Sequence, residues 1–266
     1  VENLKIQKIN QYIVDWLKTY AQKSGMRGFV VGISGGIDSA VVAYLCAQTN
    51  LETLCVEMPI GQKQSQIDQT NELLEKLHSK FINIKNIKID LTTVFNEFKN
   101  NVSQNVSQDK LNLTLANTQS RLRMLTLYYQ AGIHSLLVVG TGNKIEDFGI
   151  GFYTKYGDGG VDVSPIADLM KSEVYQLAEY LGIPDSIRSA LPTDGLFGDN
   201  RSDQEQIGAN YDELEKAMKS HQNGKKANDF SGREKEVFEI YTRLNTINQH
   251  KMNPIPVCQI PKKMKL

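Results

Sequence analysis

The run Ser34-Gly35-Gly36-Ile37-Asp38-Ser39 places two hydroxyls, two adjacent glycines and one carboxylate within six residues. Phe29, Val30 and Val31 before it read as a buried strand, and Ala40, Val41, Ala43, Tyr44, Leu45 and Ala47 after it as a mostly apolar helix. A strand, a glycine-serine loop and a helix in that order leave backbone N–H groups at a helix N-terminus, where the dipole amounts to roughly half a positive charge. Gly32, Gly35 and Gly36 let a ligand approach the main chain. Such a loop suits phosphate. It is not the commoner nucleotide loop, because G-x-x-x-x-G-K-[ST] is absent and Asp38 stands where a lysine would. A carboxylate beside phosphates repels them unless a cation such as Mg²⁺ intervenes. The residue types therefore give Asp38 to a metal, and Ser34, Ser39 and the N–H groups to a pyrophosphate. A plain tight turn is the alternative, though a turn requires neither two serines nor an acid.

The elements that must position this loop alternate along the chain. Residues 2–23 carry Ile9, Ile13, Trp16, Leu17 and Tyr20 on one helical face, which packs on the domain or on a partner subunit. Leu54 to Ile60 reads as a second strand; Ile67, Leu73, Leu74 and Leu77 mark a helix; Phe81 to Leu91 alternates as a third strand. A polar link at 100–110 precedes a helix bearing Leu113, Leu122, Leu125 and Tyr129 together with Arg121 and Arg123. The strand Ser135–Val139 then ends in Gly140-Thr141-Gly142-Asn143. Strand–helix alternation predicts an α/β fold with a doubly wound parallel sheet. Ligands collect at the C-terminal ends of such strands, so the exits at 32–36 and 140–142 are expected to face one crevice. The glycine-rich run 151–160 and Val161–Pro165 read as a ligand loop. A helix from Lys171 with Val174, Leu177, Ala178 and Leu181 ends at Gly182 and Pro184. Residues 192–210 read as a lid or loop, helices follow near 211–220 and 231–248, and the tail Lys262-Lys263-Met264-Lys265 reads as a solvated end.

The loop at 32–39 resembles the Ser-Gly-Gly-x-Asp-Ser pyrophosphatase loop of the N-type ATP pyrophosphatases, which split ATP between its α and β phosphates. Further residues narrow the resemblance: Asn117-Thr-Gln-Ser-Arg121-Leu-Arg123-Met124, Gly140-Thr141, Glu146, Gly151-Phe-Tyr-Thr-Lys155-Tyr-Gly-Asp-Gly-Gly160, Pro192-Thr193 and His250-Lys251. In this order, from Gly32 to Lys251, the chain is similar to the ammonia-dependent NAD synthetases. That resemblance implies an adenine nucleotide α-hydrolase-like (Rossmann-like) fold with helical extensions, spanning 1–266 as one domain. It implies that ATP activates the nicotinate carboxylate of deamido-NAD as an acyl-adenylate, with release of pyrophosphate, and that ammonia then displaces AMP. It gives ATP phosphates to Gly32, Ile33, Ser34, Gly35, Gly36, Ile37, Asp38 and Ser39, and further ATP contacts to Thr141, Lys171 and Thr193. Mg²⁺ falls to Asp38 and Glu146, which with Lys171 form the catalytic group. Arg121, Lys155, Asp162, His250 and Lys251 match positions that hold deamido-NAD. Taken singly, Arg121 also reads as a helix-surface cation, Lys171 as a first-turn helix residue and His250 as a surface histidine. Between Glu146 and Gly151 the chain has one residue more than several relatives show, which leaves open whether Glu146 or Asp147 faces the metal. Met252 stands where an arginine is frequent.

Thirty basic and thirty acidic residues balance to no net charge, which offers no support for a nucleic-acid partner. Cys46, Cys55 and Cys258 form no C-x-x-C pair, arguing against zinc or iron–sulfur and suiting a reducing compartment. No run reaches the length of a membrane span and the start is no signal peptide, so a cytoplasmic protein is expected. Glutamine-dependent relatives carry an amidase domain with a catalytic cysteine; none is expected in 266 residues beginning at Val1, and free ammonia is the expected donor. A homodimer is implied by the resemblance, with residues 2–23 and 111–130 as candidate surfaces. Two other readings compete: a tRNA-modifying pyrophosphatase, which predicts a basic face and paired cysteines, and a regulatory domain that holds ATP uncleaved.

Overall fold

The computed structural model describes residues 2–61, 64–102, 105–192 and 202–265. Four short runs pair in parallel: β1 (Gly28–Ile33), β2 (Glu52–Glu57), β3 (Ile84–Lys88) and β4 (Leu136–Val139), in the order β3-β2-β1-β4. The register sets Val30 against Leu54 on one side and Val138 on the other. Val163 adds an isolated parallel bridge to Val139 beyond β4. Successive side chains of β1 point to opposite faces, and both faces are apolar, so both must be covered.

Eleven helical segments do the covering among the described residues: α1 (Glu2–Lys23), α2 (Ile37–Gln48), α3 (Gln64–Lys80), α4 (Thr92–Asn101), α5 (Gln108–His134), a π-turn (Ile145–Ile150), α6 (Lys171–Leu181), α7 (Asp185–Arg188), α8 (Asp203–Ile207), α9 (Tyr211–Gln222) and α10 (Gly232–Met252), besides two short 3₁₀ turns. On one face Phe29 and Val31 meet Leu17 and Ala21 of α1, Val41 and Leu45 of α2, and Leu177 of α6. On the other, Val30, Val56 and Val138 meet Phe95 of α4 and Ala131 of α5. The sheet is thus doubly wound, as the strand–helix alternation predicts. A second body of apolar side chains joins Ile145 and Ile150 of the π-turn to Leu214 and Met218 of α9 and Phe238 and Tyr241 of α10. It braces one wall of the site.

The differences from the sequence reading have local causes. β3 is shorter than the alternation over 81–91 suggests. Ile89 N and Leu91 N still donate to Glu57 O and Pro59 O, but Pro59 has no N–H to continue a ladder. α4 carries β-branched and Asn residues of poor helix propensity and was not anticipated. It starts where Asp90 Oδ1 accepts from Thr92 N at 2.8 Å and is held by burial of Phe95. α2 begins at Ile37 rather than Ala40, which brings Asp38 and Ser39 into its first turn. On α1, Ile13 and Leu17 enter the core, whereas Tyr12, Trp16 and Tyr20 remain exposed. No described helix is long and apolar enough to cross a membrane.

Candidate active site

The strand order reverses between β1 and β4, and the crevice beyond their C-terminal ends is where a doubly wound sheet receives ligands. A cavity of about 660 Å³ opens there, lined by residues 32–39, Gly140, Thr141, Gly142, Glu146, Lys171 and Lys251 among others. Both glycine exits face it. The loop is shaped by its own serines. Gly36 N donates to Ser34 Oγ at 3.2 Å, Ser34 and Ser39 hydroxyls lie 3.1 Å apart, and Ser39 Oγ donates to Gly36 O at 2.9 Å. Gly36 is the N-cap of α2 and brings no capping side chain, so the positive end of the helix faces the cavity. Gly35 has φ +85°, and a Cβ there would lie 3.1 Å from Gln66 O. Gly35→Ala is therefore expected to cost about 1–2 kcal/mol, seen as a lowered melting temperature together with weaker binding of a nucleoside triphosphate.

Behind the loop, three elements bring three charges together. Lys171, the first residue of α6 and 3% exposed, places Nζ 2.5 Å from Asp38 Oδ2 and 3.1 Å from Glu146 Oε1. Burial alone would push the Lys171 ammonium down, but the Asp38 and Glu146 carboxylates outweigh it and hold the group charged above its ordinary range. Burial pushes the Asp38 carboxyl up, an effect that Lys171 eases and Glu146 adds to. Buried Asn143 fixes the geometry. Its Nδ2 donates to Asp38 Oδ1 at 3.2 Å, while its Oδ1 accepts from Ile145 N and Glu146 N at 3.1 Å each.

Ile145–Ile150 form a π-turn, a wider turn that holds one residue more than an α-helical turn. Glu146 thereby faces Asp38 and Lys171. Asp147 lines the same cavity under Gly142, where a Cβ would lie 2.1 Å from its Oδ1. Asp147 is pushed well up by burial and by the neighbouring Glu146, Asp158 and Asp38. Oxygen donors of this kind suit a hard cation. Among the described residues no group of three or more His, Cys, Asp or Glu is arranged to hold a metal unaided, so phosphate or water oxygens would have to complete any shell.

The five residues matched to the dinucleotide part company. Lys251, in the last turn of α10, reaches inward and donates to Gly151 O at 2.7 Å and Tyr153 O at 2.9 Å; burial pushes its ammonium down. Arg121, Lys155 and His250 lie outside the cavity lining on one exposed rim, where Arg121 Nε donates to Lys155 O at 3.2 Å and Lys155 Nζ to His250 O at 2.5 Å. Asp162 closes the end of the sheet, accepting from Val138 N at 2.8 Å and Tyr128 OH at 3.0 Å. Thr193 lies outside the described residues.

A buried lysine between two carboxylates beside a phosphate loop can gather a polyphosphate and a cation, and the chain as a whole matches a known family. A family model described as NAD synthase matches residues 9–255. The chain belongs to the NAD synthase family. It is 38% identical to a protein of Alkaliphilus metalliredigens named NH(3)-dependent NAD(+) synthetase, over 92% of this chain and 96% of the relative. Among solved structures, the NMN synthetase of Francisella tularensis superposes with a TM-score of 0.81 at 29% identity, covering 97% of this chain and 98% of the other. The NH3-dependent NAD synthetase of Campylobacter jejuni, solved with a nitrate ion, superposes with a TM-score of 0.76 at 26% identity, covering 96% and 99%.

This NAD synthase chain also uses residues that the sequence reading passed over. Tyr211 donates towards Glu146 from α9, Glu215 of the same helix accepts from Ser172 N and Ser172 Oγ, and Asp158 ties the glycine-rich run to Ser120. Asn210, which accepts from Glu213 N as the cap of α9, was a legible start signal for the helix that carries two of them. Their partners were not legible, because they come from other elements.

Proposed function

We propose that the chain is an ammonia-dependent NAD synthetase that converts deamido-NAD, ATP and ammonia into NAD, AMP and pyrophosphate. The observation that carries this reading is Lys171 held between Asp38 and Glu146 at the mouth of the 32–39 loop. The names of its curated relatives, which it matches over nearly their full length, give ammonia as the nitrogen donor and NAD as the product. A carboxylate is a poor electrophile toward ammonia until one of its oxygens belongs to a good leaving group. Attack by the nicotinate carboxylate on the α-phosphate expels pyrophosphate and makes that oxygen part of AMP; ammonia then attacks the carbonyl carbon and AMP departs. Two anions must meet in the first step. The α2 N-terminus and the Lys171 ammonium supply positive charge where the β and γ phosphates leave. Asp38 and Glu146 would hold Mg²⁺, whose charge neutralises the phosphates when it is bound. Thr141, Phe152, Tyr153 and Lys251 line the cavity; Thr141 and Thr193 would contact ATP, and Lys251 would contact deamido-NAD. Arg121, Lys155 and His250 would receive the distal half of the dinucleotide on the rim, with Asp162 beyond them. Exposed Tyr12, Trp16 and Tyr20 of α1 and Leu125, Tyr129 and Ile133 of α5 are apolar surface that a homodimer would cover.

A second substrate is favoured by one observation, the 0.81 TM-score to an NMN synthetase: the mononucleotide acid, activated by the same steps. One experiment separates the readings. The protein is given ATP, Mg²⁺ and ammonium with either deamido-NAD or nicotinate mononucleotide, and AMP and the amide product are followed together. Equimolar AMP and NAD from the dinucleotide, lost in Asp38→Ala, is the expected result. Preference for the mononucleotide would move the substrate, AMP without amide would leave only the pyrophosphatase step, and turnover with glutamine alone would overturn the ammonia assignment.

A further inference from the structure

Helix α9 contributes no residue to the cavity wall, yet one of its side chains ends on the catalytic group and another on the residue next to Lys171. Tyr211 and Glu215 are four residues apart, so they share one helical face. Tyr211 OH lies 2.6 Å from Glu146 Oε1 and 2.9 Å from Asp203 Oδ2, and its ring stands 4.8 Å from Lys171 Nζ. Glu215, buried, accepts from Ser172 N at 2.9 Å and Ser172 Oγ at 2.8 Å, which fixes the backbone next to Lys171. Burial, with the Glu146 and Asp203 carboxylates, pushes the phenol far up, so it remains a hydrogen-bond donor.

We propose that Tyr211 and Glu215 are positioning residues, through which α9 holds Glu146 and Lys171 in register with Asp38. The Glu146 oxygen that Lys171 touches, Oε1, is the oxygen that Tyr211 touches. The hydroxyl thereby fixes the carboxylate rotamer that keeps Glu146 facing Asp38, and the ring roofs the ammonium against water. Neither residue need touch substrate. Helix α9 is braced by its apolar face, since Leu214 and Met218 are buried against α10 and against the π-turn that carries Glu146, and this fixes its polar tips relative to that carboxylate. Asp203 Oδ2 lies 2.9 Å from the same hydroxyl and joins α8 to this point; the single phenolic proton goes to one carboxylate at a time, and the shorter contact is to Glu146.

The inference rests on the synthetase reading for its kinetic readout but not for its structural one. Tyr211→Phe keeps the ring and the packing. It is expected to lower kcat for AMP formation roughly ten- to a hundredfold, to change the KM for ATP less than threefold, and to leave the melting temperature within a few degrees of the parent. Glu215→Gln, which still offers an oxygen to Ser172 N, is expected to keep most of the rate, whereas Glu215→Ala loses it. A crystal structure of Tyr211→Phe is expected to show Glu146 turned away from Lys171. A Phe variant with unchanged kcat, or with Glu146 still on Lys171, would overturn the proposal; so would a loss of rate matched by an equal loss in Glu215→Gln. If the parent protein makes no AMP at all, the synthetase reading fails, and the crystal structure still decides whether Tyr211 holds Glu146.

Discussion

Lys171→Met is expected to reduce AMP formation by roughly a thousandfold and to lower the melting temperature, with the two losses separable. In the parent, the buried Nζ stands within hydrogen-bonding reach of both Asp38 and Glu146, which are themselves only partly exposed to the cavity. Methionine fills a similar volume but brings no charge, so the carboxylates face each other uncompensated. Removing one partner of a buried pair costs about 3–5 kcal/mol. The double variant Lys171→Met with Glu146→Gln removes that repulsion and is expected to regain most of the lost stability, because one neutral amide can now donate to Asp38. It regains no rate, since the positive charge facing the departing pyrophosphate is still missing. Thermal melts and initial rates of AMP release on the three proteins test this. A single variant within tenfold of the parent rate would mean that Lys171 serves stability and not the phosphates.

The parts of this molecule that were legible in the sequence are those whose partners are near neighbours. Residues 29–47 announce strand, loop and helix because the glycines, serines and apolar run are contiguous, and Leu136–Val139 is apolar on both faces. Two glycine exits on adjacent strands of a doubly wound sheet had to meet, and they do. β3 was overread because its alternation continues past the point where Pro59 ends the ladder. α4 was missed because its stability comes from Phe95 in the core and not from its own propensities. At the site, Lys171 looks from sequence like any first-turn lysine. Its pairing with Asp38 spans 133 residues and emerges only when α6 packs on α2. Tyr211 and Glu215 are harder still, since their targets lie 65 and 43 residues away and nothing local demands a polar side chain. Family order pointed to Lys171, Glu146 and Lys251, while the π-turn, which no composition signals, decides which of two adjacent acids meets the lysine. Arg121 Nε and Lys155 Nζ each donate to a backbone carbonyl within this chain. Their reading as dinucleotide contacts therefore asks that a bound ligand displace or share those bonds.

Asp158 offers the sharpest separation of charge from scaffold. Its Oδ1 accepts both from Ser120 Oγ at 2.6 Å and from Thr154 N at 3.0 Å, and its own N–H donates to Ser120 Oγ at 2.9 Å. One carboxylate oxygen thus pins the glycine-rich run, with the Phe152–Tyr153 wall, onto α5. Asp158→Ala leaves the hydroxyl and the amide without an acceptor in a buried place and is expected to cost about 3 kcal/mol, a fall of roughly 6–10 °C in melting temperature. Asp158→Asn keeps an oxygen in the same position. Burial pushes the Asp158 carboxyl up from its ordinary value, and the sign of the pH effect follows from that. An acid whose folded pKa is raised loses stability as pH climbs from its unfolded value through the folded one. The asparagine variant lacks that loss. It is therefore expected to be closest to the parent near pH 4–5 and to gain on it toward pH 8, while the alanine variant stays below both at every pH. If the wall's position is what turnover requires, Asp158→Asn retains the rate within about tenfold and Asp158→Ala loses roughly a hundredfold with a raised KM for deamido-NAD. An asparagine variant as unstable as the alanine one would show that the ionised carboxylate, and not its hydrogen-bond geometry, holds the wall to α5.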